Sequence, residues 1–155
     1  MENDATEHVV VKAVEPGVIR PIRQRVLRPH QPIEAMVYPG DEAGGTFHLA
    51  ALDKAGHVLG IASFYKDEHP LQARPGDRRL RGMAVEPAWQ GRGLGSRLVR
   101  AGINHIKEEG GSRLWCNARV SAQPFYEKLG FIAEGEEFHI EHIGPHYVMT
   151  TNIAV

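Results

Sequence analysis

Three glycines stand at alternate positions, Gly91, Gly93 and Gly95, between two segments of different periodicity. A short apolar run at residues 80–86 precedes them and is typical of a strand. From residue 94 onward the apolar residues recur at helical spacing. Backbone amides in the first turn of a helix lack partners within the helix, and the helix dipole adds positive charge there. Because glycine leaves the backbone accessible, this turn is a candidate phosphate site.

Competing interpretations of the glycine-rich turn remain open at this point. Glycines in a strand-to-helix connection also serve as plain turn residues. A dinucleotide fingerprint would need Gly-x-Gly-x-x-Gly, which the spacing Gly91-x-Gly93-x-Gly95 does not give, and no Gly-Lys-Ser/Thr follows for a Walker loop. Arg92 places a cation beside the turn, so pyrophosphate binding is the chemistry expected if the turn binds an anion.

Composition limits the class of protein. The 155 residues, 42% of them hydrophobic, predict a single domain over residues 1–155 with its own core. The single cysteine, Cys116, excludes an intramolecular disulfide, and a net charge of −1 argues against nucleic-acid binding. No apolar run reaches the roughly 18 residues that a membrane span requires. Met1 to Asp4 lack the features of a secretory signal, so we expect a cytoplasmic protein without membrane attachment.

The remaining periodicities predict a mixed α/β domain in the order β-α-β-β-β-α-β-α-β-β. Strands are expected at residues 9–14, 46–52, 57–65, 80–86, 113–117 and 147–153, and two strand pieces at residues 131–133 and 138–140. A first helix should run from Pro16 until Pro29 stops it, a second from residue 94 to the glycines at 110 and 111, and a third over residues 123–129. In the third helix, Phe125 and Leu129 are expected to face inward, and residues 66–79 should form a polar loop.

Three segments in this order resemble the GNAT-type N-acetyltransferases: Met83-Ala84-Val85-Glu86-Pro87, Gln90-Gly91-Arg92-Gly93-Leu94-Gly95 and Phe125-Tyr126-Glu127-Lys128-Leu129-Gly130-Phe131. The resemblance covers residues 80–133. Residues 80–84, 115–119 and 144–147 are also similar to a little-characterised bacterial subgroup of that family. The resemblance implies a GNAT-like twisted sheet of six to seven strands, mostly antiparallel, flanked by helices.

What the resemblance implies is transfer of acetyl from acetyl-CoA to a primary amine of a small molecule or peptide by direct attack. Tyr126 would be the general acid for the leaving thiolate, and the amide of Val85 would bind the thioester carbonyl and the oxyanion. Asn117 would contact the CoA arm or form only a local turn. The residues expected to bind acetyl-CoA are Met83, Ala84, Val85, Gln90, Gly91, Arg92, Gly93, Leu94, Gly95, Ser96, Asn117 and Tyr126.

The acceptor side is less determined by sequence. Candidate general bases are Glu34, Asp41, Glu86, His139 and His146, and the resemblance favours Glu34 and His146 as substrate-contacting residues. The histidines of His139-x-x-His142-x-x-x-His146 fall on a strand and a Gly-Pro loop, so no metal site is predicted. Cys116 is interpreted as a small buried residue and not as a nucleophile.

Two other functions stay open from sequence: a non-catalytic acyl-CoA sensor of the same fold, and a phosphate-binding protein of another fold. The expected partners are acetyl-CoA and an amine acceptor, without metal or nucleic acid, and the family resemblance suggests a homodimer.

Overall fold

Seven strands form one mixed sheet in the computed structural model, which describes residues 5–153. The strands are β1 (Val10–Val14), β2 (Phe47–Leu52), β3 (Val58–Tyr65), β4 (Asp77–Val85), β5 (Arg113–Arg119), β6 (Ile132–Ile140) and β7 (Gly144–Asn152). Their order across the sheet is β1-β2-β3-β4-β5-β7-β6. The described pairs β1–β2, β2–β3, β5–β7 and β6–β7 are antiparallel, and β4–β5 is parallel. The predicted fold class, sheet type and element order are therefore confirmed, whereas the prediction for Met1 to Asp4 lies outside the described residues.

Three α-helices complete the architecture: α1 (Pro16–Ile22), α2 (Leu94–Glu108) and α3 (Gln123–Lys128). Pro16 is the first residue of α1. A backbone N–H at this position has no partner within the helix, so the N–H that proline lacks costs no hydrogen bond. No helix among residues 5–153 is long and apolar enough to cross a membrane.

The chain divides into two compact units. The first contains the residues up to Tyr65 together with Gly82–Gly102, and the second contains Lys66–Arg81 and the residues from Ile103 onward. The single domain over residues 1–155 stays a prediction.

In the first unit, α1 packs its apolar side against the sheet. Ile19, Ile22, Ile61 and Ala84 form a cluster in which none is more than 6% exposed. Burying such side chains contributes about 1.5–3 kcal/mol each, so this cluster fixes α1 on the strands. Strands β2 and β3 form an antiparallel hairpin, and Gly56 in its turn adopts a left-handed φ of +89°.

The first helix departs from its predicted course after Ile22. The chain continues as a π-helical turn over Arg23–Leu27, in which one extra residue is accommodated per turn. Pro21, inside the helix, has no N–H to donate and so weakens the α-helical hydrogen-bond ladder just before the change. The structure therefore contains a π-turn where the sequence predicted a regular helix.

Glycine also permits a close helix contact in this unit. Gly102 lies in α2 against Phe64, and a Cβ built on Gly102 would overlap the Phe64 ring. Phe64 is completely buried and stacks on Phe47 with ring centroids 4.8 Å apart. The missing side chain lets α2 approach the β3 strand at this point.

In the second unit, β4 begins earlier than predicted. Asp77, Arg78 and Arg79 pair in parallel with Arg113, Leu114 and Trp115. The polar loop predicted for residues 66–79 is therefore wrong over its last three residues. The charged side chains favoured a loop over a strand in the sequence pattern. They are accommodated in the strand because Asp77 forms a buried ion pair with Arg113 and the Arg79 guanidinium lies 4.9 Å from the centre of the Trp115 ring.

A second correction concerns β6. The two strand pieces predicted at residues 131–133 and 138–140 are parts of one strand, interrupted by a register shift between Glu134 and Phe138. Gly135 takes a φ of +74° at this irregularity. A β-bulge of this kind adds residues to one strand while the partner strand continues, which is why the sequence pattern breaks without the strand ending.

Candidate active site

The connection from β4 to α2 lies entirely in the first unit. Glu86 donates its backbone N–H to the carbonyl of Leu59 at 2.8 Å, and Pro87–Trp89 then forms a single 3-10 turn. The Gln90 side chain donates from Nε2 back to the carbonyl of Val85 at 3.1 Å. Gln90 therefore closes the turn, so that the chain enters the glycines from a fixed direction.

Gly91 and Gly93 both adopt the left-handed backbone region, with φ of +79° and +82°. Other residues enter this region only at a cost, so both positions require glycine. A Cβ at either position would meet no atom within 4 Å, which means that the backbone here faces open space. The conformation, and not crowding, explains these two glycines, and the third, Gly95, lies inside α2.

The charges around this turn favour an anion. The first turn of α2 contains no acidic residue, and the Arg92 guanidinium lies 4.8 Å from the centre of the Trp89 ring. Arg97 is already engaged, donating to the carbonyls of Val9 at 2.7 Å and Thr6 at 3.4 Å. An accessible backbone, a helix N-terminus and a nearby cation together fit a pyrophosphate group.

Tyr126 is the buried aromatic residue of α3 in the second unit. It is 7% exposed, and its ring lies edge-on to Phe125 and Phe131 at centroid distances of 5.0 and 5.3 Å. Phe125 and Leu129, expected to face inward, are only half-buried. Since α3 is short and its carbonyl at Tyr126 accepts from Phe131 at 3.1 Å, the chain turns back at once and encloses Tyr126.

Tyr126 and Cys116 share a hydrogen bond. Burial raises the pKa of the Tyr126 phenol well above 10, and the neighbouring Cys116 raises it further. Burial also raises the pKa of the Cys116 thiol to about 12, against the smaller lowering effects of Tyr126 and Arg79. Both groups therefore stay protonated at neutral pH, and a thiol in that state is a weak nucleophile.

Two further predicted residues lie on neighbouring strands of the second unit. Asn117 is half-buried on β5 opposite Val148 of β7. His146 lies on β7, which begins at Gly144 and so earlier than predicted, and it is 3% exposed. Its Nδ1 lies 2.7 Å from the carbonyl of Gly144. A carbonyl only accepts hydrogen bonds, so Nδ1 carries the proton and Nε2 is left with a lone pair in neutral His146.

The comparisons with known proteins identify the family. The model of the acetyltransferase (GNAT) family matches residues 19–131. The chain belongs to the GNAT family. It is 41% identical over 128 residues to a Bacillus subtilis (strain 168) protein named "Uncharacterized N-acetyltransferase YitI", and the match covers 83% of this chain and 85% of that protein.

Other proteins share shorter stretches of sequence or the fold alone. A mycothiol acetyltransferase of Rhodococcus jostii (strain RHA1) is 32% identical over 102 residues, 63% of this chain but 29% of that protein. The Escherichia coli ribosomal-protein-S18-alanine N-acetyltransferase superposes with a TM-score of 0.74 at 19% identity, covering 95% of both chains. Ard1 from Thermoplasma volcanium superposes with a TM-score of 0.77 at 16% identity, covering 96% of this chain and 99% of that one. The family model and the relative of 41% identity together show that this chain is a GNAT N-acetyltransferase, and GNAT proteins use acetyl-CoA.

The other candidate bases of this GNAT enzyme differ in their exposure and in their partners. Glu34 and His139 are exposed, and Glu86 forms an ion pair with Arg25. Asp41 is buried; burial alone would raise its pKa, but hydrogen bonds from Arg23 and Tyr65 outweigh that effect and lower it.

The sequence reading missed Arg23, which is completely buried. A signal was available, because Arg23 follows Ile19 by four residues and so shares its apolar helix face.

Proposed function

We propose that this enzyme transfers the acetyl group of acetyl-CoA to a primary amine of a small molecule or peptide by direct attack. The observation that carries the proposal is the open turn at the start of α2. Gly91 and Gly93 are in the left-handed conformation there, and a Cβ built on either would have no atom within 4 Å. Acetyl-CoA, when bound, supplies an activated thioester, so the protein needs no covalent intermediate of its own.

The backbone of one continuous segment would hold most of the donor. The amides of residues 91–96 would bind the pyrophosphate, with Arg92 beside them. The strand residues Met83, Ala84 and Val85 would pair with the pantetheine arm, and the Val85 amide would bind the thioester oxygen. A fixed amide stabilises the oxyanion that develops there without having to reorient. The Asn117 side chain would add a hydrogen bond to the CoA arm.

Proton movements would fall to two side chains of the second unit. As the amine nitrogen bonds to the carbonyl carbon and the C–S bond breaks, the thiolate takes a proton from Tyr126, whose raised pKa keeps it protonated at neutral pH. The amine gives its proton to a base, for which His146 is the best candidate because its Nε2 carries a lone pair. These roles rest on the family motif and on the surroundings of each residue within its own unit.

The acceptor is proposed only as a chemical class. A net charge of −1 offers no long-range attraction for a strongly charged polymer, which favours a small or modestly charged amine. A homodimer and a cytoplasmic location remain predictions from the sequence.

The first experiment measures donor binding with a matched pair of variants. Acetyl-CoA should raise the melting temperature of the wild type, because it binds the native state. Gly93→Ala should weaken acetyl-CoA binding about tenfold, which is roughly 1.4 kcal/mol. Gly110→Ala is the control: Gly110, with φ of +83° and nothing within 4 Å, carries the same strain after α2. Equal donor affinity in the two variants would contradict the proposed pyrophosphate site.

The second experiment follows CoA release over a panel of amines that includes amino acids, polyamines, aminoglycosides and a peptide with a free N-terminus. Release that depends on one amine class would establish the reaction and its acceptor. Tight acetyl-CoA binding without release for any amine would instead show a sensor of acyl-CoA.

A further inference from the structure

A completely buried arginine organises the segment between α1 and β2 in the first unit. Arg23 is 0% exposed and stands at the first residue of the π-turn. Its Nη1 donates to the carbonyl of Met36 at 2.6 Å and to the Asp41 carboxylate at 2.7 Å. Burying a guanidinium is costly unless its charge is paired and its donors are used, so this segment is built around Arg23.

The orientation of the guanidinium is fixed from a second side by β3. Nη2 of Arg23 donates to Ser63 Oγ at 3.0 Å and to the Tyr65 hydroxyl oxygen at 3.2 Å. The Tyr65 hydroxyl in turn donates to Asp41 at 2.5 Å, and His48 lies 2.7 Å from Ser63 Oγ. With partners in several directions, the guanidinium plane has one orientation.

That plane supports an aromatic ring. The Arg23 guanidinium carbon lies 3.9 Å from the centre of the Tyr38 ring, a cation–π contact. The backbone N–H of Tyr38 also donates to the Asp41 carboxylate at 2.9 Å. Tyr38 is therefore held both through its ring and through its main chain, although it lies in a segment without regular strand or helix structure.

The ring and the guanidinium both face β4 at Gly82. Gly82 has a φ of +66° inside the strand, an irregular conformation that glycine tolerates. A Cβ built on Gly82 would lie 3.3 Å from Arg23 Nε and 3.7 Å from Tyr38 Cε2. Among residues 5–153, none accepts a hydrogen bond from Arg23 Nε. The β4 backbone thus passes directly beside the Tyr38 ring, one residue before Met83.

We infer that Tyr38 lines the acyl end of the acetyl-CoA site and restricts which amines can approach the thioester. The inference rests on the proposed function, which gives Met83, Ala84 and Val85 to the pantetheine arm. With the thioester oxygen at Val85, the acyl group would lie within three residues of Gly82 along β4, and the Tyr38 ring is fixed beside Gly82 by contacts that do not depend on a ligand. The substrate class is an amine whose substituent can lie against the flat face of the Tyr38 ring.

Bromoacetyl-CoA tests the position of Tyr38 without knowledge of the acceptor. In Tyr38→Cys, the introduced thiolate would displace bromide from the methylene carbon: a C–S bond forms, the C–Br bond breaks, and the thiol proton goes to solvent. Val37→Cys is the matched control, since Val37 is the adjacent residue and is 53% exposed. Cys116, at 3% exposure, contributes a background that the wild type measures. Peptide mass spectrometry locates the adduct.

We expect labelling of Tyr38→Cys to be at least roughly tenfold faster than labelling of Val37→Cys, because bound reagent has a high effective concentration. Excess acetyl-CoA, which has no free thiol to consume the reagent, should suppress the first reaction and leave the second unchanged. Equal rates, or labelling of Tyr38→Cys that acetyl-CoA does not slow, would overturn the inference. A wild type that shows no thermal shift with acetyl-CoA would instead refute the proposed function.

A measurement on the native side chain decides the matter if Tyr38→Cys does not fold. Tetranitromethane nitrates accessible tyrosine rings, and Tyr38 is half-buried whereas Tyr65 and Tyr126 are buried. Acetyl-CoA should slow nitration of Tyr38 in the wild type. Nitration of Tyr38 at the same rate with and without saturating acetyl-CoA would overturn the inference.

Discussion

Replacing Asp77 by asparagine should reveal how much one buried ion pair stabilises the second unit. Asp77 is 6% exposed and accepts hydrogen bonds from Arg113 Nε at 2.7 Å and Nη2 at 2.9 Å. It also accepts from the backbone N–H groups of His69 at 3.0 Å and Arg74 at 2.9 Å. One carboxylate therefore joins β4, β5 and the loop before β4, and its charge balances that of the buried Arg113.

The pKa of Asp77 gives the size and the pH range of this effect. Burial alone would raise the pKa, but the hydrogen bond from Arg113 and those from the two backbone amides outweigh it and lower the pKa from 3.8 to about 2. A lowered pKa stabilises the folded state above the unfolded value and loses that stabilisation as the pH falls toward 2. Linkage gives about 2 kcal/mol at pH 5 and about 1 kcal/mol at pH 3.

Urea unfolding followed by tryptophan fluorescence measures the difference directly. At pH 7, Asp77→Asn should lower the free energy of unfolding by about 3 kcal/mol, because Arg113 stays buried without its partner charge. The gap between wild type and variant should narrow by about 1 kcal/mol from pH 5 to pH 3.

The control for this series is Asp67→Asn. The Asp67 side chain is 48% exposed and lies 3.8 Å from Arg79, so its loss should cost less than about 1 kcal/mol. A gap between wild type and Asp77→Asn that stays constant from pH 5 to pH 3 would refute the assigned pKa. A variant as stable as the wild type at pH 7 would refute the role of the ion pair.

Three further predictions concern single residues. Tyr126→Phe should lower kcat far more than it changes acetyl-CoA affinity, and unchanged turnover in a CoA-release assay would exclude Tyr126 as the acid. Gly102→Ala should lower the free energy of unfolding by about 1–2 kcal/mol, because the clash with Phe64 exceeds the helix-propensity gain, whereas Gly17→Ala, with nothing within 4 Å in α1, should raise it by up to about 1 kcal/mol. Native Cys116 should not react with Ellman's reagent until urea unfolds the chain. Rapid reaction of the folded protein would show that the Cys116 thiol is accessible to solvent.

The sequence predicted the features of this fold that depend on local chemistry. Gly91 and Gly93 were expected in the connection from a strand to a helix, and each has a left-handed φ. Strand and helix order followed from apolar periodicity, because each element presents one face to a core. The positions of Gly91 and Gly93 also singled out the turn that is the candidate pyrophosphate site.

What sequence could not give depends on contacts between residues distant in the chain. Asp77 was assigned to a polar loop because a charged side chain usually indicates exposure. The residue that compensates its charge, Arg113, lies 36 residues further on. Arg23 was not singled out from the sequence, and its partners come from the loop before β2 and from β3. Periodicity reports which face of an element is apolar, but it carries no information on which charged side chain finds a buried partner.

The π-turn at Arg23–Leu27 also marks a place where the length of this chain can vary. A π-turn accommodates one extra residue, so deleting one residue inside it would restore regular α-helix. The residues beyond would keep nearly the same rotation about the helix axis, whereas a one-residue deletion within regular α-helix rotates the following chain by about 100°. Tyr38 lies on the outgoing segment, so relatives that keep its ring in place should differ in length by one residue inside this turn more often than within α1.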